Sequence, residues 1–274
     1  MPGLSMSLVG ARLSLLTVWA WTIISSMTSR GLLIVFEGID GTGKSTQVRL
    51  LADALSSAGL DVIQSKEPTD GPWGRKIRAS AASGRMAPAE ELDAFVKDRR
   101  EHIEKLITPG LEAGKVVILD RYFYSSIAYQ GARLGNVEEI ARQMSSFAPL
   151  PDVVFLIDID PVVSLARIVE SRGEIPNQFE QVASLNAARE IFNQLAEGDP
   201  RIVKLDGNCS LESIRMTLLD LLVNDVLRKA TCYESKWCDV SNCLSAKSGR
   251  CEWYNIRQSL ADRLSSSYTS ALIS

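Results

Sequence analysis

The chain has 274 residues, 46% of them hydrophobic and 23% charged, with a formal net charge of −3. That balance describes a globular chain long enough to bury a full core. It excludes the global basic field by which proteins gather nucleic acid, although phosphate sites built from a few cations and backbone amides survive that exclusion.

Residues 1–30 contain no acidic residue and only Arg12 and Arg30 as cations. Their apolar run, 13–24, is shorter than the roughly 20 residues a membrane-spanning helix needs, so no membrane partner is expected. Two arginines are few for an organelle transit sequence. We read 1–30 as an extension that is disordered or not part of the native protein, with Met27 as a candidate start just ahead of the first strand.

Residues 32–36 (LLIVF) form a continuous apolar run, the pattern of a central parallel strand buried on both faces. After a glycine-rich turn, Val48, Leu51, Ala52 and Leu55 recur at helical spacing from a start near Lys44, and Gly59 is placed to end that helix. A second strand, 61–64, leads to Glu67-Pro68, and a charged helical stretch covers 89–106. Residues 116–119 (VVIL) are a third strand, ending in Asp120-Arg121. A helix is predicted over 137–147 and a strand over 153–159. Asp160 and Pro161 then stand as N-cap and first-turn residues of the next helix. A loop at 173–179 precedes a helix over 182–195, a fifth strand near Ile202 and a closing helix over 211–227. Such alternation predicts an α/β fold of three layers around a parallel five-stranded sheet, occupying 31–228. Beyond it, 229–274 is a tail holding Cys232, Cys238, Cys243 and Cys251. It has no C-x-x-C pair and no histidine, so zinc spacing is missing and reduced thiols are expected.

Gly38-Ile39-Asp40-Gly41-Thr42-Gly43-Lys44-Ser45 matches G-x-x-x-x-G-K-[ST] without a mismatch, between a buried strand and an amphipathic helix. Glycines permit the close approach and unusual dihedrals that aim successive N–H groups at phosphate oxygens. The helix N-terminus adds a favourable field, Lys44 can bridge β- and γ-phosphates, and the Ser45 hydroxyl can ligate Mg²⁺. Gly38 to Thr46 is therefore the expected binding stretch for ATP or GTP.

With FEGIDGTGKST (36–46) and LDRYFYSSIAYQGA (119–132), the sequence resembles the thymidylate kinases from about Gly31 to about Leu222. The second segment carries that family's D-R-Y-x-x-S-x-x-A-Y-Q signature. Residues 94–117 and 151–161 are similar in wording and order. The resemblance implies a P-loop kinase architecture with a small lid, a homodimer, and cytoplasmic transfer of the γ-phosphoryl of ATP to dTMP with Mg²⁺.

It also implies roles. Asp40 would accept from the deoxyribose 3′-hydroxyl, and Phe95 would stack on thymine. Arg99, four residues on and on the same helix face, would bond the base edge. Asp120 would hold Mg²⁺ with Ser45, and Arg121 would clamp the acceptor phosphate with its planar fork. Ser126 and Tyr129 would line the base and sugar pocket. The loop positions that carry an arginine in some members are Asp40, Gly41 and Thr42 here, so the lid must supply the cation. Arg172 is the expected catalytic lid residue and Arg167 an ATP-side residue. Two departures stand out: Asn177-Gln178 replaces the lid's usual Asp-Arg, and Thr69-Asp70-Gly71 follows Glu67-Pro68 where Gly-Gly-Thr is common. His102, the single histidine, is expected on the helix surface.

Rival readings are a deoxynucleoside kinase, with Glu37 proposed as base, a monophosphate kinase of altered base choice, and a non-catalytic nucleotide-binding P-loop module. A guanine switch would be expected to carry N-K-x-D, and no Asn-Lys dipeptide occurs in the chain.

Overall fold

The computed structural model describes residues 31–172 and 178–223. The readings of 1–30 as an extension and of 229–274 as a cysteine tail lie outside the described residues. In chain order the elements are β1 (Leu32–Glu37), α1 (Lys44–Ser57), β2 (Val62–Lys66), α2 (Pro72–Ser83) and α3 (Pro88–His102). A short π-helix (Ile103–Ile107) leads into α4 (Thr108–Glu112), then β3 (Val116–Asp120), α5 (Phe123–Leu134), α6 (Val137–Ser145) and β4 (Val153–Asp158). The series closes with α7 (Pro161–Arg172), α8 (Gln178–Gly198), β5 (Ile202–Asp206) and α9 (Leu211–Leu221).

Among the described residues the sheet has five parallel strands in the order β2-β3-β1-β4-β5. All six residues of β1 are buried, as are most of β3 and β4, which explains their unbroken apolar runs. The edge strands β2 and β5 are half-covered and carry Gln64, Lys66 and Lys204. Alternation along the strands divides the core in two. Leu33, Val35, Val117, Leu119, Val154 and Leu156 face the helices α3, α5, α6 and α8. Leu32, Ile34, Phe36, Ile118 and Phe155 face α1 and α9. The chain leaves β1 between β3 on one side and β4 on the other, and that reversal of winding opens a crevice at the carboxyl ends of the strands.

Two helices were not predicted as elements, α2 and α5. The predicted helix over 89–106 is instead interrupted: α3 stops at His102, and a widened turn in which Thr108 N–H bonds the Ile103 carbonyl carries the chain past Pro109. A proline without an N–H is accommodated where the ladder has already slipped by one residue. Helix α8 begins at Gln178 and reaches Gly198, beyond the predicted 182–195 on both sides.

Candidate active site

The first turn after β1 demands glycine at two positions. Gly38 has φ of 136°, and a Cβ there would lie 2.4 Å from the Ile157 carbonyl oxygen. Gly41 has φ of 78°, and its Cβ would press on the Ser164 carbonyl at 2.7 Å. The loop is thus wedged against β4 and α7, and the buried Ser164 hydroxyl also bonds the Asp40 carbonyl. Helix α1 starts at Lys44 with no side-chain cap and no acidic residue in its first turn. Its leading amides therefore face the loop as donors for an anion, with the helix field behind them.

Lys44 is buried, and its Nζ donates to the Ile39 carbonyl at 2.7 Å and to Thr42 Oγ1 at 3.4 Å. Burial, reinforced by the Arg121 charge, pulls this amine down to about 8. The Ser45 hydroxyl bonds Asp120 Oδ2 and so joins the first turn of α1 to the end of β3. Gly43 and the half-buried Thr46 flank this pair.

Arg121 follows β3 directly, in the left-handed region with φ of 72°. Its N–H donates to the Phe36 carbonyl at 2.9 Å, which extends the β1–β3 ladder by one rung and holds the strained backbone. The guanidinium is thereby aimed across the crevice: Nη2 donates to Asp40 Oδ1 and Nη1 to Ser125 Oγ, each at 2.9 Å, while the group lies 5.3 Å from the Tyr129 ring centre. Tyr129 packs edge-on against Phe192, and burial pushes its phenol up to about 12.

Glu37, the last residue of β1, is enclosed. Its Oε1 accepts the N–H groups of Tyr122 and Ser125 at 2.9 and 3.1 Å, and Oε2 accepts the Ser125 hydroxyl at 2.6 Å. The carboxylate thus caps α5 from a neighbouring strand. Burial pushes it up to about 7, against the opposing pull of Arg121.

The acceptor-side residues divide into exposed and buried. Phe95 is half-buried on α3. Arg99 is 1% exposed, far from the solvated arginine its charged neighbours suggest. Its Nε and Nη2 reach Glu67 Oε2 at 2.8 and 2.7 Å, and its Nη1 reaches Ser126 Oγ at 3.1 Å and Met144 Sδ at 3.0 Å. His102 corrects the expectation of a surface position. It is 5% exposed, with Nδ1 3.0 Å from Glu67 Oε1 and Nε2 2.9 Å from Ser65 Oγ. A buried carboxylate between two partners is the physical reason: such a charge requires them.

Arg167 donates to the Gly207 carbonyl at 3.1 Å, tying α7 to the turn after β5. Arg172 ends α7, and its side chain lies outside the described residues, as do those of Asn177 and Gln178. Sequence reading passed over Ser125, although it occupies the serine of the D-R-Y-x-x-S signature, and over Glu67, Ser164 and Met144. Among the described residues no group of three or more His, Cys, Asp or Glu could cage a metal, and no helix is long and apolar enough to cross a membrane.

A family model described as thymidylate kinase matches residues 36–217. A thymidylate kinase of Xylella fastidiosa (strain M12) is 46% identical over 198 residues, covering 72% of this chain and 89% of that protein. One from Xanthomonas campestris pv. campestris (strain B100) is 50% identical over 169 residues, 62% of this chain and 74% of its own. A third, from Xanthomonas oryzae pv. oryzae (strain PXO99A), is 47% identical over 184 residues, 67% of this chain and 79% of its own. The chain belongs to the thymidylate kinase family.

Proposed function

We propose that the chain transfers the γ-phosphoryl group of ATP to the phosphate of dTMP, giving ADP and dTDP. The observation that carries this reading is the convergence of Lys44, the Ser45–Asp120 pair and the Arg121–Asp40 pair at the carboxyl ends of β1 and β3.

The acceptor is already an oxyanion, so the chemistry needs alignment and charge neutralisation more than a strong base. Amides of Gly41 to Thr46 receive the donor phosphates, and Lys44 turns from the Ile39 carbonyl to the β- and γ-oxygens. Arg121 is held on both sides by Asp40 and Ser125, which orients its fork toward an incoming acceptor phosphate. Asp40 is the acceptor for the sugar 3′-hydroxyl. Phe95 stacks on thymine while Arg99, Ser126 and Tyr129 shape the pocket behind it. Arg167 bounds the ATP side, and Arg172 supplies the lid cation.

Mg²⁺ suits the donor set, since Ser45 and Asp120 offer one hydroxyl and one carboxylate, both hard oxygen ligands. Few protein ligands are the rule for this ion, which takes the rest of its shell from substrate phosphates and water. When bound, it neutralises charge on the β- and γ-phosphates. Homodimerisation and a cytoplasmic setting are proposed on the family resemblance, and light scattering of the purified chain tests the first.

A deoxynucleoside kinase would need a free carboxylate base. Glu37 does not fill that role, because both its oxygens are engaged in capping α5. The test is an ADP-release assay with Mg·ATP against dTMP, dUMP, CMP, AMP and thymidine. Turnover should strongly favour dTMP; turnover with thymidine alone, or with none of the five, overturns the reading.

A further inference from the structure

We propose that His102 is a positioning residue for recognition of the acceptor base, acting through Glu67 on the Arg99 guanidinium. This rests on the reading of Arg99 as the cation that bonds the base edge. His102 lies three residues beyond Arg99, on the same face of α3, and both side chains are buried against the end of β2.

The Glu67 carboxylate is divided between them. One oxygen, Oε2, takes both Nε and Nη2 of Arg99, while Oε1 faces His102 Nδ1 at 3.0 Å. A carboxylate only accepts, so Nδ1 carries the proton. In the neutral ring Nε2 is then an acceptor, and the Ser65 hydroxyl 2.9 Å away is the donor it needs. The whole chain, Ser65 to His102 to Glu67 to Arg99, is satisfied with one negative and one positive charge.

The arrangement sets what Arg99 has left to offer. Of its five N–H groups, Nε–H and one on Nη2 go to Glu67, and those on Nη1 go to Ser126 and Met144. One Nη2 N–H remains uncommitted among the described partners. A single donor fits the carbonyl oxygen of a thymine or uracil ring and mismatches the amino group that cytosine carries at that place. His102 protects that donor. Without it, Oε1 is a buried acceptor lacking a partner, and the carboxylate gains by rotating to grip Nε and Nη2 with both oxygens, the fork-to-fork geometry preferred by arginine and carboxylate. That rotation engages the same two N–H groups but turns the guanidinium, so its free donor no longer points at the base edge.

The test compares His102→Asn, which presents an amide N–H where Nδ1 stands, with His102→Gln, which presents one where Nε2 stands, and with His102→Leu. KM and kcat are measured for dTMP, dCMP and ATP on the full chain, with melting temperature alongside. His102→Gln and His102→Leu should raise the dTMP KM on the order of tenfold and reduce the dTMP-to-dCMP ratio of kcat/KM by a similar factor, as loss of one charge-assisted hydrogen bond would. The ATP KM should stay within about twofold, and His102→Asn should restore most of the ratio. Equal behaviour of the Asn and Gln variants, or a fall in every constant together with melting temperature, overturns the proposal. Arg99→Gln separates the two levels. Unchanged base discrimination there removes the reading of Arg99 itself, whereas lost discrimination in Arg99→Gln with none lost in His102→Gln removes only the role of His102.

Discussion

The two halves of the crevice are built by different means. On the donor side, the groups that meet phosphate are backbone amides and side chains from one stretch, Gly38 to Thr46, closed by Asp120 at the end of the adjacent strand and by Arg121 just after it, which faces the acceptor phosphate. Ser45 and Asp40 stand exposed there, whereas Thr42 and Lys44 are buried. On the acceptor side, Glu67 just past β2, Arg99 and His102 of α3, and Ser126 of α5 are all buried. The donor side therefore rests on local chain geometry, and the acceptor side on a buried charge pair that only tertiary packing can assemble. Damage to the first should cost rate; damage to the second should cost stability and acceptor choice.

The largest effect is expected at Arg121. Replacing it by alanine removes the group aimed between Asp40 and Ser125, and kcat/KM for dTMP should fall roughly 10²- to 10³-fold, the range for deleting one preorganised donor. Circular dichroism and melting temperature should scarcely move, because the partners it leaves are half-open to water. Steady-state kinetics beside a melting curve check both halves of that statement.

The acceptor cluster should behave in the opposite sense. Glu67→Ala leaves the Arg99 charge buried without its counter-ion, and urea unfolding should report a loss of about 3–5 kcal/mol. Contrast comes from Arg49→Ala at the exposed pair with Asp53, where the same measurement should register under about 0.5 kcal/mol. A small loss at Glu67 would mean that the buried pair is not what holds β2 to α3.

A subtler mark distinguishes the donor side. Lys44 sits near 8 in the free protein because burial disfavours its ammonium. Bound phosphates favour the ammonium and raise it again, so ATP binding near pH 8 should take up a fraction of a proton. Calorimetric titration in buffers of different ionisation enthalpy reads that fraction, and Lys44→Met should abolish it. Above pH 8 the ATP KM should climb as the free amine deprotonates.

The same contrast decides what was legible in the sequence. β1, β3 and β4 are buried on both faces and read as apolar runs, and the phosphate loop is contiguous, so strands and donor side could be placed directly. Helix α2 escaped because Ile77 is the one buried hydrophobic side chain described in Pro72–Ser83, leaving no apolar stripe. Helix α5 escaped for the opposite reason, since aromatic and small residues bury it on nearly every side. His102 was read as a surface residue among Arg100, Glu101 and Glu104. The buried face of α3 there is polar, running through Asp98, Arg99 and His102, and hydrophobic periodicity cannot see a polar face. Its partner Glu67 is 35 residues distant, beyond the reach of any local pattern.

The most direct measurement is kcat/KM for dTMP and dCMP in the native chain, Lys44→Ala and Arg99→Gln. The account predicts that Lys44→Ala lowers both values and leaves their ratio unchanged, whereas Arg99→Gln collapses the ratio. A ratio preserved in Arg99→Gln, or lost in Lys44→Ala, would contradict the division of the crevice into a donor half that sets rate and a buried half that chooses the acceptor.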